Sequence, residues 1–372
     1  MAKASDDTLR IGLVVGPTTG GIGRHVETLT QELTRRGHIV TVYAPPKAVA
    51  TFDWSSAGAA VRAAPVGSVR PTELMRAMRE LRAEASSWDV VHAHGMRAGV
   101  AAAAAGLHPL VVTWHNGPHD RLRRRWAHPL LERYVSRRAD RILAVSADLA
   151  ARARRAGATD IRQVAVVAPP LAPARRPAAE VRRELDAVDR PMVLAVGRLE
   201  PQKRLDVLVD AVADWPDEPV PAVLIAGTGS LEVDLRRRIG RVGSPVRLLG
   251  RREDVADLLQ AADVVVLPSA WEGYPLVAQE ALRAGRPLIA TPVGGVPELV
   301  GDAAILVPVG HPQALRSALL DLLADAESRK RRAVAGQARA AQWPSVAQMV
   351  DDVVDNYLDL KSRVRFTRPH FA

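Results

Sequence analysis

The stretch that most constrains the fold of this chain runs from Ala262 to Val300. It begins with a short β-branched apolar run, Val264 to Leu267, which is typical of a buried strand. After a loop, Pro275 stands where a helix can begin, because a first-turn proline loses no helical N–H bond. A second apolar run, Leu288 to Ala290, leads into a glycine turn. This strand–helix–strand order predicts a parallel sheet covered by helices.

Two glutamates in this stretch are spaced as Glu-x7-Glu. Glu272 lies in the loop after the first predicted strand, and Glu280 lies on the helix that follows. Ligands of open parallel sheets bind beyond the carboxyl ends of the strands, where a carboxylate can accept hydrogen bonds from sugar or ribose hydroxyls. Two arbitrary glutamates would more often cap and solvate a helix, but the pattern around this pair favours a binding role.

The length and composition limit the classes of protein to which this chain can belong. With 372 residues the chain is long enough for two domains with full cores. It has no cysteine, which excludes disulfides, thiolate metal sites and a cysteine nucleophile. The polar first residues predict no signal peptide, and no uninterrupted apolar run approaches the ~18 residues of a membrane span. We therefore expect a cytoplasmic protein.

The positive charge is concentrated in the first part of the chain. Residues 1–170 contain 24 Lys and Arg against 14 Asp and Glu, whereas residues 171–372 contain 27 of each. An arginine- and alanine-rich coding bias explains this as well as a functional cause does. The functional alternative is an anionic partner, either a membrane surface or an acidic acceptor, with nucleic acid not expected.

The first residues predict a strand–loop–helix–strand unit of the doubly wound type. A strand at residues 9–15 is followed by a glycine-rich loop at 16–23, a helix ending near Arg36, and a strand at 38–43. The loop is not the dinucleotide fingerprint, because Val26 stands where Gly or Ala is expected. Residues 45–70 are predicted to be an irregular loop.

Histidines follow at the ends of two further predicted strands. His92 and His94 alternate with apolar residues and so share one face of a strand. Two such histidines could bind a metal, but no third ligand is evident, and no metal site is predicted. His115 follows the strand at 110–114 and is either a packed loop residue or a ligand-binding one.

Residues 119–141 contain eight arginines interleaved with apolar and aromatic residues. Such a segment is either the solvated face of a core helix or a seat on an anionic lipid interface. A proline-rich segment at 169–173 then marks a domain boundary.

The second half offers a cationic loop. Arg198 and Lys203 lie between a strand at 192–196 and a helix beginning near Leu205. Two cations at a helix N-terminus could hold a diphosphate and stabilise it as it leaves; the alternative is two solvated surface cations. A further glycine loop, residues 227–231, follows the next strand.

Together these motifs resemble those of the retaining glycosyltransferases of family 4, which have the GT-B fold. The match combines EGYPLVAQEAL, PLIATPVGG, PELV and a Gly-Arg-Leu-x2-Gln-Lys loop. The resemblance implies two Rossmann-like, doubly wound parallel-sheet domains facing a central cleft. Residues 1–170 would form the acceptor domain and 171–342 the donor domain, with a last helix, 343–366, crossing back onto the first.

The resemblance also implies roles for single residues. Arg198 and Lys203 would neutralise the leaving diphosphate, Glu272 and His115 would hold the transferred sugar, and Glu280 would hold the ribose. The other donor-binding positions are loop residues that approach the nucleotide, namely Gly20, Gly21, Gly227, Gly229, Arg251, Gly294 and Gly295. No metal or other cofactor is expected, since the two cations replace it and an Asp-x-Asp motif is absent. The family's usual Asn-Gly turn is missing at 169–173, so no contact of that asparagine carries over.

The implied activity is the retaining transfer of a hexosyl group from a UDP- or GDP-sugar to an acceptor hydroxyl. A lipid-linked acceptor or a polysaccharide precursor is expected, at the inner face of the cell membrane if residues 119–141 contact lipid. The same fold also serves nucleotide-sugar epimerases, sugar phosphorylases and non-catalytic nucleotide-sugar binders, and fold alone does not separate these alternatives.

Overall fold

The computed structural model describes residues 8–18, 20–115 and 127–367. The chain divides into two compact units, of which the first comprises Met1–Val167 with Pro344–Ala372 and the second comprises Ala168–Trp343. The predicted domain limits at residues 170 and 343 lie close to these divisions. No helix within the described ranges is long and apolar enough to cross a membrane.

The first unit is built on a seven-stranded sheet in the order β3-β2-β1-β4-β5-β6-β7, with every neighbouring pair parallel. Every residue of its middle strands is buried, and most of these residues are apolar. The strands are β1 (Arg10–Val15), β2 (Ile39–Ala44), β3 (Ala60–Ala63), β4 (Val90–His94), β5 (Leu110–Trp114), β6 (Arg141–Ala144) and β7 (Ile161–Gln163).

Helices cover both faces of this sheet. The first of them buries Val26, Leu29 and Leu33, which recur at helical spacing as the sequence predicts. The helices are α1 (Gly21–Arg35), α2 (Pro46–Val49), α3 (Pro71–Glu84), α4 (Met96–Ala104), α5 (Ala127–Arg138) and α6 (Ala147–Arg155). The prediction of an irregular loop at 45–70 is wrong in part, because α2 and the edge strand β3 lie there. Both are only four residues long, and β3 is largely exposed, so neither gives an apolar pattern.

The second unit has a six-stranded parallel sheet in the order β10-β9-β8-β11-β12-β13. Alternate residues of its central strand enter separate cores, with Met192 and Leu194 in one and Val193 and Ala195 in the other. The strands are β8 (Met192–Val196), β9 (Ala222–Ala226), β10 (Val246–Gly250), β11 (Val264–Leu267), β12 (Leu288–Ala290) and β13 (Ile305–Leu306). The helices are α7 (Ala178–Glu184), α8 (Leu205–Ala211), α9 (Glu232–Val242), α10 (Val255–Ala261), α11 (Leu276–Arg283), α12 (Val296–Val300), α13 (Pro312–Ala324) and α14 (Ala326–Ala340).

The last helix, α15 (Val346–Thr367), packs within the first unit. Arg36, which follows α1, pairs with Asp351 at 2.5 Å. The buried guanidinium of Arg141 on β6 donates to Asp359 at 2.5 Å. These pairs and the buried Tyr357 fix α15 against the sheet.

Candidate active site

In the second unit, an ion pair joins two neighbouring loops at the carboxyl end of the sheet. Lys203 follows β8, Glu272 follows β11, and these strands lie side by side. Lys203 Nζ donates to Glu272 Oε1 at 2.6 Å, with the lysine side chain 16% and the glutamate side chain 7% exposed. Ser269 Oγ donates to the same oxygen at 2.5 Å. The structure thus brings together two residues that the sequence placed in the site separately.

The backbone around this pair is held by further contacts. Gln202 Nε2 donates to the carbonyl of Trp271 at 2.7 Å, and the amide of Ala270 donates to the carbonyl of Gln202 at 2.8 Å. Both bonds involve Gln202, the residue before Lys203, and they tie the lysine loop to the segment just before Glu272.

Gly294 and Gly295, in the turn after β12, pack against the glutamate loop. Gly294 has a φ of +53°, and a Cβ there would lie 1.7 Å from the carbonyl oxygen of Glu272. The Gly295 amide donates to that same oxygen at 3.2 Å. The contact that the structure shows for these glycines is therefore with the backbone of Glu272.

Gly227 and Gly229 have a similar place beside the lysine loop. A Cβ on Gly227 would lie 1.8 Å from the carbonyl oxygen of Gly197, and one on Gly229 would lie 2.4 Å from that of Leu199. Both positions require glycine because two loops approach each other closely. They enclose the backbone on either side of Arg198.

The other predicted donor residues of this unit lie around the same end of the sheet. Arg198 is exposed, and Glu280 is half-buried on α11. Arg251 follows β10, is exposed, and lies 3.6 Å from Glu253. Arg198 and Arg251 are thus exposed, in contrast to the largely buried Lys203–Glu272 pair.

In the first unit, Gly20 and Gly21 form the start of α1 directly after the β1 loop. The Gly20 carbonyl accepts hydrogen bonds from the amides of Gly23 at 3.0 Å and Arg24 at 3.3 Å. The N-terminus of α1 thus lies beyond the carboxyl end of β1. Anionic groups commonly bind at this position in parallel-sheet proteins.

Four histidines cluster in the interior of the same unit. His94 on β4 and His115 after β5 are joined by a 3.1 Å contact between Nδ1 of His94 and Nε2 of His115. The ring of His25 from α1 stands edge-on to both, at 5.6 Å and 5.2 Å between ring centres. His92 lies apart in its bonding, because its Nδ1 contacts the Tyr357 hydroxyl and its Nε2 the Thr113 hydroxyl, each at 2.6 Å.

Burial keeps these rings neutral. It lowers the pKa of His25 to about 4 and that of His92 to about 3. It also lowers the pKa values of His94 and His115 well below the ordinary value, with neighbouring histidines adding to the effect. At neutral pH each ring therefore offers one N–H donor and one acceptor nitrogen.

Sequence reasoning missed His25 and with it the cluster. His25, His94 and His115 each offer a ring nitrogen within 4.8 Å of the others, a set that could reach a metal ion. The third partner that was not evident beside His92 and His94 thus exists, while His92 itself is occupied by two hydroxyls. The signal that could have shown it is a histidine one turn into the helix that follows a strand and a glycine loop.

Known families match both units of the chain. The model of the glycosyl transferases group 1 family matches residues 190–325, and that of the glycosyl transferase 4-like domain matches residues 20–170. Among solved structures, HepE of Anabaena with UDP and glucose superposes with a TM-score of 0.81 at 21% identity, covering 95% of this chain and 100% of that one.

Curated relatives agree with this assignment. The phosphatidyl-myo-inositol mannosyltransferase of Mycobacterium tuberculosis is 30% identical over 96% of this chain and 99% of its own length. The D-inositol 3-phosphate glycosyltransferase of Corynebacterium diphtheriae is 34% identical over 42% of this chain, a match that spans 40% of that enzyme. The chain belongs to the group 1 glycosyltransferases of family 4, and it is a glycosyltransferase with the GT-B fold.

Proposed function

We propose that the protein transfers a hexosyl group from a UDP- or GDP-sugar to an acceptor hydroxyl with retention of configuration. The observation that carries the proposal is the largely buried Lys203–Glu272 pair at the carboxyl ends of β8 and β11. A lysine ammonium has three N–H donors, so Lys203 can hold Glu272 and still donate to a phosphate oxygen. With the exposed Arg198 on the same loop, it would stabilise the charge that develops on the leaving diphosphate.

The remaining roles follow from the family resemblance. Glu280 would accept hydrogen bonds from the ribose hydroxyls. Glu272 and His115 would contact the transferred sugar. The sugar–phosphate bond breaks as the acceptor oxygen forms its bond to the same face of the anomeric carbon. The acceptor proton passes to an oxygen of the departing diphosphate. Glu272 is already committed to Lys203 and Ser269, which fits a binding carboxylate better than a covalent nucleophile.

We further propose that the transfer needs no metal ion. Two protein cations, Arg198 and Lys203, would supply the positive charge that a divalent ion supplies to a leaving diphosphate elsewhere. Turnover in the presence of EDTA tests this directly, because a metal-dependent transferase would lose its activity.

The acceptor is proposed to be anionic and lipid-linked, with a polysaccharide precursor as the alternative. Two relatives are named for acceptors that carry phosphate, D-inositol 3-phosphate and phosphatidyl-myo-inositol. The described part of the arginine-rich segment fits this proposal, because α5 exposes Leu130 and Leu131 beside Arg133 and Arg137. Residues 119–126 lie outside the described residues. Such a face would seat the protein at the inner surface of the cell membrane.

The decisive experiment measures nucleotide release from a panel of UDP-, GDP- and ADP-sugars, with and without lipid acceptors, for the wild type and Lys203→Ala. Release from one donor that is lost in the variant supports the transferase and identifies the donor. The matched control is Lys330→Ala, since Lys330 pairs with Glu327 at the same 2.6 Å on the exposed surface of α14. It should leave release unchanged.

The other functions on this fold give different results in the same assay. A binding protein would hold nucleotide without acceptor-dependent turnover. A phosphorylase would release the sugar only with phosphate, and an epimerase would change the sugar of the donor without transfer. Absence of any nucleotide binding would contradict the assignment of the donor site.

A further inference from the structure

The geometry points to His94 as a positioning residue that fixes the tautomer of His115. The Nδ1–H of His94 donates to Nε2 of His115, and His115 therefore carries its single proton on Nδ1. The inference rests on the proposed function only for what His115 then does to the sugar. The tautomer itself is a property of the folded first unit.

The two rings are placed for such a bond. Nδ1 of His94 and Nε2 of His115 are 3.1 Å apart, within the range of an N–H hydrogen bond. The rings are nearly parallel, with an interplanar angle of 23°. Both residues are buried, so water does not compete for these nitrogens.

The direction of the bond follows from the other nitrogen of His94. Its Nε2 is buried and has no hydrogen-bond partner among the described residues. A buried N–H without an acceptor loses its full hydration, and such orphaned donors are rarer in proteins than under-satisfied acceptors. The proton of His94 therefore belongs on Nδ1, from which it can be donated. His115 Nε2 must then be the acceptor.

Each neutral ring carries one proton, and a third proton on the pair is disfavoured by its surroundings. Protonating both rings would set two N–H groups against each other across the 3.1 Å contact. His25 stands edge-on to both rings, and His92 packs at 4.0 Å between ring centres from His94, so these rings keep water from solvating a charge on the pair.

The consequence concerns how His115 meets its substrate. With its proton on Nδ1, His115 presents a neutral N–H donor and has no lone pair there to act as a base. It would thus bind a hydroxyl oxygen of the transferred sugar rather than remove a proton from it. Loss of His94 would let His115 exchange between tautomers, and the wrong one would present an acceptor.

The test reads the tautomers directly. The full protein, labelled with 15N at the histidine rings, is studied by long-range 1H–15N correlation at pH 7.5 with EDTA present. We expect His94 and His115 each to show a protonated Nδ1 and an unprotonated Nε2. A proton on Nε2 of His115 in the wild type overturns the inference, and no variant is needed to obtain that result. Ring shifts that depend on removing EDTA and adding Zn²⁺ would instead assign His25, His94 and His115 to a metal.

Two variants then separate positioning from packing. His94→Asn keeps an N–H donor near the place of Nδ1, whereas His94→Gln moves the donor toward the place of Nε2. We expect His94→Gln to populate both tautomers of His115 and to reduce kcat about 10- to 100-fold, as loss of an orienting partner does elsewhere. His94→Asn should rescue most of this loss. Equal loss in both variants with an unchanged tautomer would overturn the inference.

The same experiments distinguish a failure of the proposed function. If the tautomers are as expected but His115→Ala turns over donor like the wild type, the positioning by His94 stands and the sugar contact of His115 is refuted. If His115→Ala and His94→Gln reduce kcat equally and the double variant loses no more, the two residues act as one unit.

Discussion

Lys203 donates a 2.6 Å hydrogen bond to Glu272 from a position 69 residues away in the sequence. The two loops that carry them follow adjacent parallel strands, and both side chains are largely withdrawn from water. A buried pair of this kind is weak evidence for stability, because burial removes hydration from both charges. Its position at the carboxyl end of the sheet favours a functional reason for the arrangement.

Breaking this pair should separate stability from activity. Lys203→Met removes the cation that contacts the buried Glu272 carboxylate and leaves the hydrogen bond from Ser269. We expect the free energy of unfolding to fall by about 3 kcal/mol. Glu272→Gln keeps a hydrogen-bond acceptor and should fold normally, but kcat should fall about 10²- to 10³-fold through loss of preorganised charge. The double variant Lys203→Met/Glu272→Leu should recover stability without activity. Urea unfolding measures the stability of each variant, and donor turnover measures its activity. An active double variant would contradict the proposed role.

Gly294 should be essential for the place of Glu272 rather than for backbone freedom alone. Gly294→Ala adds a Cβ that would lie 1.7 Å from the Glu272 carbonyl oxygen. The control is Gly243→Ala, which has a similar φ of +61° but nothing within 4 Å of its Cβ. We expect Gly243→Ala to lose about 1–2 kcal/mol of stability and no activity. Gly294→Ala should lose more stability and about 100-fold in kcat, since the glutamate loop must move. Equal effects of the two variants would contradict this.

The sequence predicts much of this site because its signals are local. Apolar runs at β8, β11 and β12 show where strands end, and residues just beyond a strand end are where ligands bind. Lys203 and Glu272 could be chosen on that ground and from the family motifs. Their mutual contact could not be predicted, because it depends on which strands become neighbours and on two side-chain rotamers.

The glycines and histidines show where sequence reasoning stops. The sequence predicts that Gly227 and Gly294 lie in loops that approach the nucleotide. The structure adds that each of these glycines packs against the backbone of a neighbouring loop. His25 was overlooked because a helix brings it to His94 and His115 from a distant part of the chain. Such packing between loops has no periodic pattern from which it could be read.

Arg141 should be the main anchor of α15 in the first unit. Its side chain is 1% exposed, and it donates to Asp160 and Asp359, which holds the pKa of Asp359 below its ordinary value. Arg141→Met would remove the buried cation from both carboxylates and leave them only their contacts with exposed arginines. We expect the free energy of unfolding in urea to fall by about 2–4 kcal/mol. Arg363 contacts the same two aspartates but is 54% exposed. Arg363→Ala should therefore lose less than about 1 kcal/mol, and similar losses for both variants would refute the role of burial.

The exposed face of α5 should bind anionic lipid. We expect co-sedimentation with vesicles that contain phosphatidylglycerol, weakened by salt, and none with neutral phosphatidylcholine vesicles. Arg133→Ala/Arg137→Ala should weaken binding about 10- to 30-fold, since each arginine near the surface contributes about 1 kcal/mol. The matched control removes two exposed arginines of α9, Arg236 and Arg237, and should bind like the wild type. Binding that ignores salt, or equal losses in both double variants, would contradict a contact through α5.

The buried histidines should make the first unit unstable in mild acid. Burial lowers the pKa of His25 to about 4, so this ring stays neutral in the folded protein while the unfolded chain takes up a proton below about pH 6.5. The unfolded state then binds more protons, and stability falls as pH decreases from about 6.5 to 4. His25 alone should contribute a slope of about 1.4 kcal/mol per pH unit over that window.

Urea unfolding at several pH values between 4.5 and 7.5 measures this slope. His25→Asn removes the titrating ring, and its stability should depend on pH less steeply by about the amount that one histidine contributes. His311→Asn, at an exposed position before α13, is the control for losing a histidine and should keep the slope of the wild type. If His25→Asn retains the full slope as well, then His25 does not stay neutral in the folded state, and the protons are taken up elsewhere.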